Sequence, residues 1–391
     1  MIHARGGSGR GWRDGQVIVA PDKFKGSLTA AQVAAHIAAG LRQTRPELPV
    51  VCVPVADGGD GTVDAMVASG FASLQTAVTG PVGNRVVASF AMRGETAVIE
   101  LAEASGLRRL PDRPTPATAR TATSAGAGEL MRTAVTRGAR RIVLGLGGSA
   151  CTDGGAGMLT ALGARLLDAE GVELPPGGAA LVRLARIDIA DLVRVPVTVA
   201  SDVDNPLLGP RGAAHVYGPQ KGAGAEDIAA LERGLARFAE VARRDLGVDS
   251  ADRPGAGAAG GVGFAAIAFL GARSEPGIEL ILRHLDFADR LQGARLVITG
   301  EGCLDRQTLH GKAPIGVARA AAAVGIPVLA VAGQRLLTRD MLRRFGFEDV
   351  YALTDIEPDP QRCISNAGPL LEQLAVRIAQ TRLGDLLSRN A

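Results

Sequence analysis

Acidic residues follow three strand-like segments of this 391-residue sequence, in loops where catalytic or binding groups are often found. They are Asp57 and Asp60 in DGGDGT, Asp202 and Asp204 in SDVDNPL, and Glu301 and Asp305 in GEGCLDRQT. Phosphoryl transfer needs carboxylates to hold Mg²⁺, and often one more to accept the proton of the attacking hydroxyl. Any single loop aspartate can instead make an Asx turn or cap a helix. Asp57 and Asp202 have the best positions for catalysis.

Lysine is rare in this chain, since only four of its 43 basic residues are lysines and the rest are arginines. The four lie beside Gly or Pro in PDKFKGS, GPQKGA and HGKAP: Lys23, Lys25, Lys221 and Lys312. A compact ammonium suits a site that needs a point charge on phosphate or carboxylate, whereas guanidinium is a wide planar fork. We interpret these lysines as ligand-binding residues. The alternative is that four surface lysines remain by chance.

The strand-like segment RIVLGL at 141–146 runs directly into GGSACTDGGAGM and then into a helix predicted at about 155–168. A glycine loop at the start of a helix points several backbone N–H groups at an anion, which favours a phosphate. Ser149 and Thr152 add hydroxyl donors, and Asp153 is a candidate metal ligand. The segment is neither a Walker A motif nor a clean GxGxxG motif, and tight strand–helix packing is the structural alternative.

A second glycine-rich segment, GAGAAGGVGFAA at 255–266, is also expected to open a helix and is compatible with a cover over the nucleotide. Tight helix packing or a hinge explains it equally well.

Strand and helix patterns alternate along the chain, which predicts an α/β fold with a parallel sheet. VIVA at 17–20 is a buried strand, and Thr29 with Gln32 fits a capping box at the start of the next helix. After Thr79 the pattern becomes short strands joined by glycine turns, which indicates a domain boundary. A long amphipathic helix is expected at 226–245. The opening rhythm returns from ARLVITG at 294–300, and a closing helix is expected at about 367–382.

Composition excludes several classes of protein. Hydrophobic residues make up 47% of the chain, yet no apolar run is long enough to span a membrane. The net charge of +3 and the 3% of aromatic residues argue against nucleic-acid binding. Four scattered cysteines show no zinc-ligand or disulfide spacing, which fits a reducing cytoplasm. Residues 1–15 lack the apolar centre of a signal peptide and are expected to be a disordered extension.

Three other functions are weighed against phosphoryl transfer. A nicotinamide-dependent oxidoreductase acting on hydroxy acids needs a clean GxGxxG followed about twenty residues later by an acid, and the chain has none. A noncatalytic metabolite sensor has little reason to carry so many loop acids. Hydrolase chemistry is disfavoured because no GxSxG motif is present.

The loops taken together resemble those of bacterial type I glycerate kinases. The resemblance rests on APDKFKGSLTA at 20–30, VADGGDGT at 55–62, GLGGSACTDGGAGM at 145–158, SDVDNPLLGPRGAAHVYGPQKGA at 201–223 and ITGEGCLDRQTLHGKAPIGVA at 298–318. These motifs keep the family's order and span the chain from about Val17 to the closing helix. Departures are mild: Asp60 stands where Glu is common, Cys151 where Ala or Ser is usual, and Cys303 where Arg or Ser often lies.

The resemblance implies two α/β domains, a Rossmann/flavodoxin-like one with a parallel sheet and a second inserted into it. With the boundary near Thr79, we expect the first domain at 16–79 and 291–391 and the inserted domain at 80–290. The resemblance also implies ATP with Mg²⁺, and D-glycerate phosphorylated at the 2-hydroxyl. A kinase giving 3-phosphoglycerate, or acting on another small hydroxy acid, stays open. So does a homo-oligomer.

Candidate roles follow from the motifs and the resemblance together. The catalytic candidates are Asp57, Asp202, Lys25 and Lys312, with either aspartate as the base. The substrate-binding candidates are Lys23, Ser27, Asp60, Lys221 and Gln307. The nucleotide-binding candidates are Gly147, Gly148, Ser149, Thr152, Asp153, Gly260 and Gly261. The metal candidates are Asp202, Asp204 and Glu301.

Overall fold

The computed structural model describes residues 15–383. The predicted extension therefore lies outside the described residues except for Gly15, whose N–H donates to the carbonyl of Gly293 at 3.1 Å. The strands are β1 Gln16–Pro21, β2 Val50–Cys52, β3 Ala72–Thr79, β4 Arg85–Arg93, β5 Thr96–Glu100, β6 Arg141–Gly145, β7 Arg165–Leu167, β8 Arg186–Asp188, β9 Val197–Ala200, β10 Arg273–Glu275, β11 Ala294–Leu304, β12 Val328–Arg335 and β13 Phe347–Ala352.

Helices separate most of these strands, as the alternating pattern predicts. They are α1 Ala30–Thr44, α2 Thr62–Ala68, α3 Leu101–Ser105, α4 Pro116–Thr121, α5 Ala125–Thr136, α6 Ala156–Ala161, α7 Ala213–Tyr217, α8 Ala225–Leu246, α9 Ala258–Leu270, α10 Gly277–His284, α11 Phe287–Arg290, α12 Ala313–Ala322, α13 Arg339–Arg344, α14 Pro360–Ser365 and α15 Ala367–Thr381. The mixed α/β class is confirmed.

The chain divides into two compact units. Unit 1 contains residues 1–56 and 281–391, and its five-stranded sheet has the order β13-β12-β11-β1-β2 with every pairing parallel. Numbered within the unit, this order is 2-1-3-4-5, which is the flavodoxin-like arrangement. The predicted capping box is present at the start of α1, where Thr29 accepts from the N–H of Gln32 and the Gln32 side chain accepts from the N–H of Thr29.

Unit 2 contains residues 57–280 and has a six-stranded sheet of order β10-β9-β6-β5-β4-β3. The four strands from β10 to β5 are parallel, and β4 and β3 continue the sheet as an antiparallel hairpin. A large core lies in this unit, where the Phe238 ring stacks on Phe269 and contacts Phe264 edge to face. The small sheet of β7 and β8 follows α6.

The division lies at 56/57 and 280/281, whereas the sequence pattern places it at 79/80 and 290/291. Residues 57–79 belong to unit 2 because β3 pairs with β4 along its whole length and because Gly58 packs against Ala200 at the end of β9. A change of local pattern after Thr79 marks the start of a hairpin turn inside unit 2.

One helix is shorter than its pattern indicates. The sequence predicts a helix at about 155–168, but α6 ends at Ala161 and β7 begins at Arg165. Gly163 lies between them with a φ of +107°, a conformation that ends a right-handed helix. Among residues 15–383, no helix is long and apolar enough to cross a membrane.

Candidate active site

In unit 1, the loops after β1 and β11 lie at the point where the strand order reverses. The two strands are parallel neighbours in which Pro21 pairs with Gly300, and the N–H of Asp22 donates to the carbonyl of Gly300 at 2.8 Å. A flavodoxin-like sheet binds its ligands outside the carboxyl ends of such strands. Gly302 permits the two loops to approach closely, because a Cβ there would lie 3.1 Å from the backbone nitrogen of Lys25. The lysine loop and the GEGCLDRQT loop therefore share one edge.

Glu301 is buried at this edge and is already engaged with other side chains. It accepts a hydrogen bond from the hydroxyl of Thr308, and the Nζ of Lys312 lies 3.6 Å from its carboxylate. Asp305 is 4.0 Å from the same ammonium and accepts from the N–H of Gln307, whose side chain is exposed. Glu301 and Asp305 thus fix the position of the Lys312 ammonium, and Gln307 stays available to a ligand.

The PDKFKGS loop contains one cation with no carboxylate partner in the described part of the chain. Lys23 lies 3.7 Å from Asp22, and the Ser27 hydroxyl donates to the carbonyl of Ile364 at 2.7 Å. Lys25 is exposed, and it forms no ion pair with any residue between 15 and 383. Of the candidates in this loop, Lys25 is the one most available to an anionic ligand.

We expect Lys25→Ala to lower kcat/KM about 100-fold for D-glycerate, the substrate that the family resemblance implies, because the variant removes a positive charge that has no ion-pair partner among residues 15–383. The free energy of unfolding should change by no more than about 0.5 kcal/mol, since the side chain is exposed and unpartnered. Steady-state kinetics and urea unfolding measure both quantities. Arg319→Ala, which removes another exposed cation of unit 1, is the matched control. Unchanged kinetics for Lys25→Ala would remove this residue from the site.

In unit 2, the DGGDGT loop crosses the carboxyl ends of β6 and β9. A Cβ on Gly58 would lie 2.8 Å from the Cβ of Ala200, and one on Gly147 would lie 2.5 Å from the Cα of Gly59. A Cβ on Gly145 would overlap the carbonyl oxygen of Gly58. The glycines of both loops are therefore needed for backbone-to-backbone packing, and this packing presents Asp57 at the end of the parallel strands.

Asp57 and Asp202, the two candidate bases, both belong to unit 2, where the charge of Asp57 acts on Asp202. The Oδ1 of Asp202 accepts from the N–H of Gly277 at 2.9 Å, and the Oδ1 of Asp57 accepts from the N–H of Gly59 at 3.1 Å. Burial raises the pKa of Asp202 to about 6, the Gly277 bond opposes that rise, and the charges of Asp57 and Glu279 add to it. Asp202 is therefore ionised at neutral pH with a basicity suited to accepting a proton.

The three carboxylates predicted to bind Mg²⁺ are divided between the two units. Asp204 is largely exposed and pairs with Arg211 at 3.3 Å, whereas Glu301 belongs to unit 1. Within the described part of the chain, no three His, Cys, Asp or Glu side chains cluster as metal ligands. Mg²⁺ bound with a nucleotide needs only one or two carboxylates besides phosphate oxygens and water, and the loop of Asp202 and Asp204 meets that need.

Lys221 and Asp153 hold the 145–155 glycine loop from inside the protein. Lys221 is 2% exposed, and its ammonium donates to the Ser149 hydroxyl at 2.9 Å and to the Cys151 carbonyl at 2.5 Å. The fully buried Asp153 accepts from the N–H and the hydroxyl of Ser124 at 2.8 and 2.9 Å. The sequence predicts ligand contacts for both residues. The structure instead directs both charged groups into the interior of unit 2.

The part of this loop that reaches the surface is Gly147–Gly148. Ser149 and Thr152 are buried, and the Thr152 hydroxyl has no hydrogen-bond partner among the described residues. Gly148 is exposed with a φ of +73°, and a Cβ there would lie 2.7 Å from a carboxylate oxygen of Asp60. Backbone N–H groups, rather than the predicted hydroxyl and carboxylate groups, are what the loop can offer to a phosphate.

Gly260 and Gly261 support the glycine loop and do not lie at the surface. Together with Ala259 they form three consecutive left-handed residues inside α9, and both glycines are buried. The N–H of Gly154 donates to the carbonyl of Gly260 at 3.0 Å. A Cβ on Gly260 would overlap the Cys151 carbonyl oxygen. Of the two readings of this segment, the structure supports tight packing over a cover for the nucleotide.

Two residues at this edge are missed by the sequence analysis. Glu100 ends β5 with 1% exposure and accepts from the N–H of Gly61 at 3.0 Å. Arg108 lies beside it, with its guanidinium 2.9 Å from the Glu100 carboxylate and 3.7 Å from Asp60. The only signal for Glu100 is an acidic residue at the end of an otherwise apolar strand.

Comparisons with known proteins bear on the family of this chain. The profile of the "Glycerate kinase family" matches residues 17–383. A glycerate kinase of Bacillus subtilis is 43% identical over 372 residues, covering 93% of this chain and 97% of that protein. A glycerate 2-kinase of Escherichia coli is 45% identical over 346 residues, covering 86% and 90%.

A solved structure named for glycerate kinase 2 from Salmonella typhimurium LT2 superposes with a TM-score of 0.81 at 43% identity, covering 94% of this chain and 98% of the other. Sequence profile, relatives and fold therefore agree over nearly the whole chain, and the protein belongs to the glycerate kinase family.

Proposed function

We propose that this protein transfers the γ-phosphoryl group of ATP to the 2-hydroxyl of D-glycerate, giving 2-phosphoglycerate and ADP. Family membership supports glycerate as the acceptor, and the name of the E. coli relative supports the 2-position. The observation that carries the proposal is the pair of Asp57 and Asp202 beside the Gly147–Gly148 backbone, at the carboxyl ends of parallel strands. A proton acceptor and a phosphate-binding loop thus lie on one edge of unit 2.

Asp202 is the proposed base. Its carboxylate accepts the hydroxyl proton as the substrate oxygen forms its bond to phosphorus and ADP leaves. The Gly277 N–H holds one carboxylate oxygen, and the other accepts no hydrogen bond from a described residue. The neighbouring charge of Asp57 increases the basicity of Asp202, which is the role we assign to Asp57.

Positive charge for the anionic substrates comes from the lysines of unit 1. We assign the glycerate carboxylate to Lys25, because its ammonium is exposed and forms no ion pair with a residue between 15 and 383. Lys312 is held by Glu301 and Asp305 and neutralises charge on the transferred phosphoryl group. Mg²⁺ would arrive on the ATP phosphates with Asp204 as its protein carboxylate, and it would supply charge neutralisation there.

The four unpaired cysteines support a cytoplasmic location.

The test is phosphorus NMR of the purified protein incubated with D-glycerate, ATP and MgCl₂. A new phosphomonoester signal coupled to the C2 proton is the expected result. Coupling to the C3 protons would replace the product with 3-phosphoglycerate. Intact ATP without product would contradict the assignment of glycerate, and a panel of other hydroxy acids would follow.

A further inference from the structure

Glu100 connects the strand β5 to the loop that carries Asp57. It is the last residue of β5, where it pairs with Gly145 at the end of β6, and its side chain is almost completely buried. One carboxylate oxygen accepts from the N–H groups of Gly61 at 3.0 Å and Val63 at 3.4 Å. A buried carboxylate thus binds the backbone of the DGGDGT loop at its far end.

These two hydrogen bonds replace a cap that the local sequence lacks. Helix α2 begins at Thr62, and its N-cap residue Gly61 has a φ of +91° and no side chain with which to bind the first N–H groups. A negative group at a helix N-terminus also interacts favourably with the helix dipole. Gly58 packs against Ala200 near one end of the loop. The bonds to Glu100 hold the other end, so the loop is fixed at both ends.

The second oxygen of Glu100 accepts from Arg108 at 2.9 Å, and that guanidinium also binds Glu103 and lies 3.7 Å from Asp60. The negative charge of Asp64, a residue of α2, also interacts with the Arg108 guanidinium. Burial raises the pKa of Glu100 to about 7, Arg108 and the Val63 N–H oppose the rise, and Glu103 and Asp60 add to it. Since this pKa is above its unfolded value, ionised Glu100 costs stability, and the cost grows as the pH rises from about 4.5 to about 7.

A group that costs stability when ionised and still binds the catalytic loop points to a functional role. We propose that Glu100 is a positioning residue that fixes the Asp57 loop through the N–H groups of Gly61 and Val63, and thereby sets the place of Asp57 beside Asp202. This inference rests on the proposed function only in assigning catalysis to that aspartate pair. Glu100 itself touches no substrate.

Glu100→Gln tests the proposal with Glu103→Gln as its matched control. The amide must either present its NH₂ group to Arg108, which is itself a donor, or turn that group toward the loop N–H donors, so one set of contacts is lost in either orientation. Glu103 shares the same guanidinium and accepts from the N–H of Ser89, but it forms no hydrogen bond or ion pair with residues 57–63.

We expect Glu100→Gln to lower kcat at least about tenfold, with KM for ATP changed less than about threefold. Its Tm at pH 8.5 should equal or exceed that of the wild type, because a buried charge is removed. Glu103→Gln should keep kcat within about twofold. An unchanged kcat for Glu100→Gln overturns the proposal, and so does a loss of kcat that is matched by a lower Tm.

A second measurement needs neither a variant nor activity. Hydrogen exchange of the Gly61 and Val63 amides in the wild-type protein, corrected for intrinsic rates, should slow as the pH rises through about 7, because an ionised acceptor binds N–H more strongly than a neutral one. Constant protection across that range contradicts the proposal. If the wild type makes no phosphoglycerate, the proposed function fails, and the exchange data alone decide the role of Glu100.

Discussion

Asp202→Asn should reduce kcat by about 10²- to 10⁴-fold, the range that loss of a general base produces. The amide oxygen of asparagine can still accept from the Gly277 N–H, so the loop should keep its position while the proton acceptor is lost. The free energy of unfolding at pH 8 should stay the same or rise, because a buried carboxylate with a raised pKa is removed. Steady-state kinetics and urea unfolding test these two outcomes.

The pH profile provides a second check on Asp202. Wild-type kcat/KM should fall as the pH drops below about 6, where the carboxylate takes up its proton. Glu279→Gln is the matched control, since Glu279 is exposed and acts on Asp202 only through its charge. Glu279→Gln should keep kcat within about twofold. It should also shift the acidic limb of the profile slightly to lower pH. Asp202→Asn with full activity would transfer the role of base to Asp57.

Gly260→Ala should destabilise the protein by more than about 3 kcal/mol and lower kcat/KM for ATP about tenfold or more. The residue has a φ of +69°, and the added Cβ would overlap the Cys151 carbonyl oxygen, which is backbone and cannot rotate away. Relief requires the 145–155 loop to move, and this moves the exposed Gly147–Gly148 backbone. Differential scanning calorimetry and ATP kinetics measure the two effects.

Gly271→Ala separates the effect of the steric overlap at Gly260 from the effect of placing alanine in a left-handed backbone conformation. Gly271 follows the same helix with a φ of +64°, but nothing lies within 4 Å of an added Cβ. Its substitution should cost only the roughly 1 kcal/mol of a left-handed residue and leave the kinetics unchanged. Equal effects of the two substitutions would show that contact between Gly260 and the glycine loop has no part in nucleotide use.

Features that depend on local chain chemistry could be predicted from the sequence. The apolar run at 17–20 is β1, Thr29 and Gln32 form the capping box, and the long amphipathic pattern at 226–245 is α8 at 225–246. The positions of Asp57 and Asp202 in loops after strands also follow from the sequence. Their proximity does not, because Asp57 follows β2 in the sheet of unit 1, whereas Asp202 follows β9 in the sheet of unit 2.

Burial of individual charged groups could not be predicted in the same way. Lys221 and Asp153 have the residue types and glycine neighbours of ligand contacts, yet tertiary packing turns both inward. Glu100 looks like an ordinary strand end until the fold brings Gly61 to its carboxylate. The domain boundary differs for a related reason, since Gly58 reaches Ala200 across more than one hundred residues of sequence.

The contact between Gly277 and Asp57 also bears on the order in which the chain folds. Unit 2 is continuous in sequence, and a Cβ on Gly277 would overlap the carbonyl of Asp57, so the two ends of this unit are adjacent once it has formed. In unit 1, β1 must pair with β11 across more than 270 residues. Prior folding of unit 2 shortens that loop to roughly 50 effective residues and lowers the entropic cost of closing it by about 1.5 kcal/mol. During synthesis, residues 15–56 are therefore made well before β11, with which β1 pairs. The inserted unit can complete its fold in that interval, and its adjacent ends then keep the two segments of unit 1 close enough to pair.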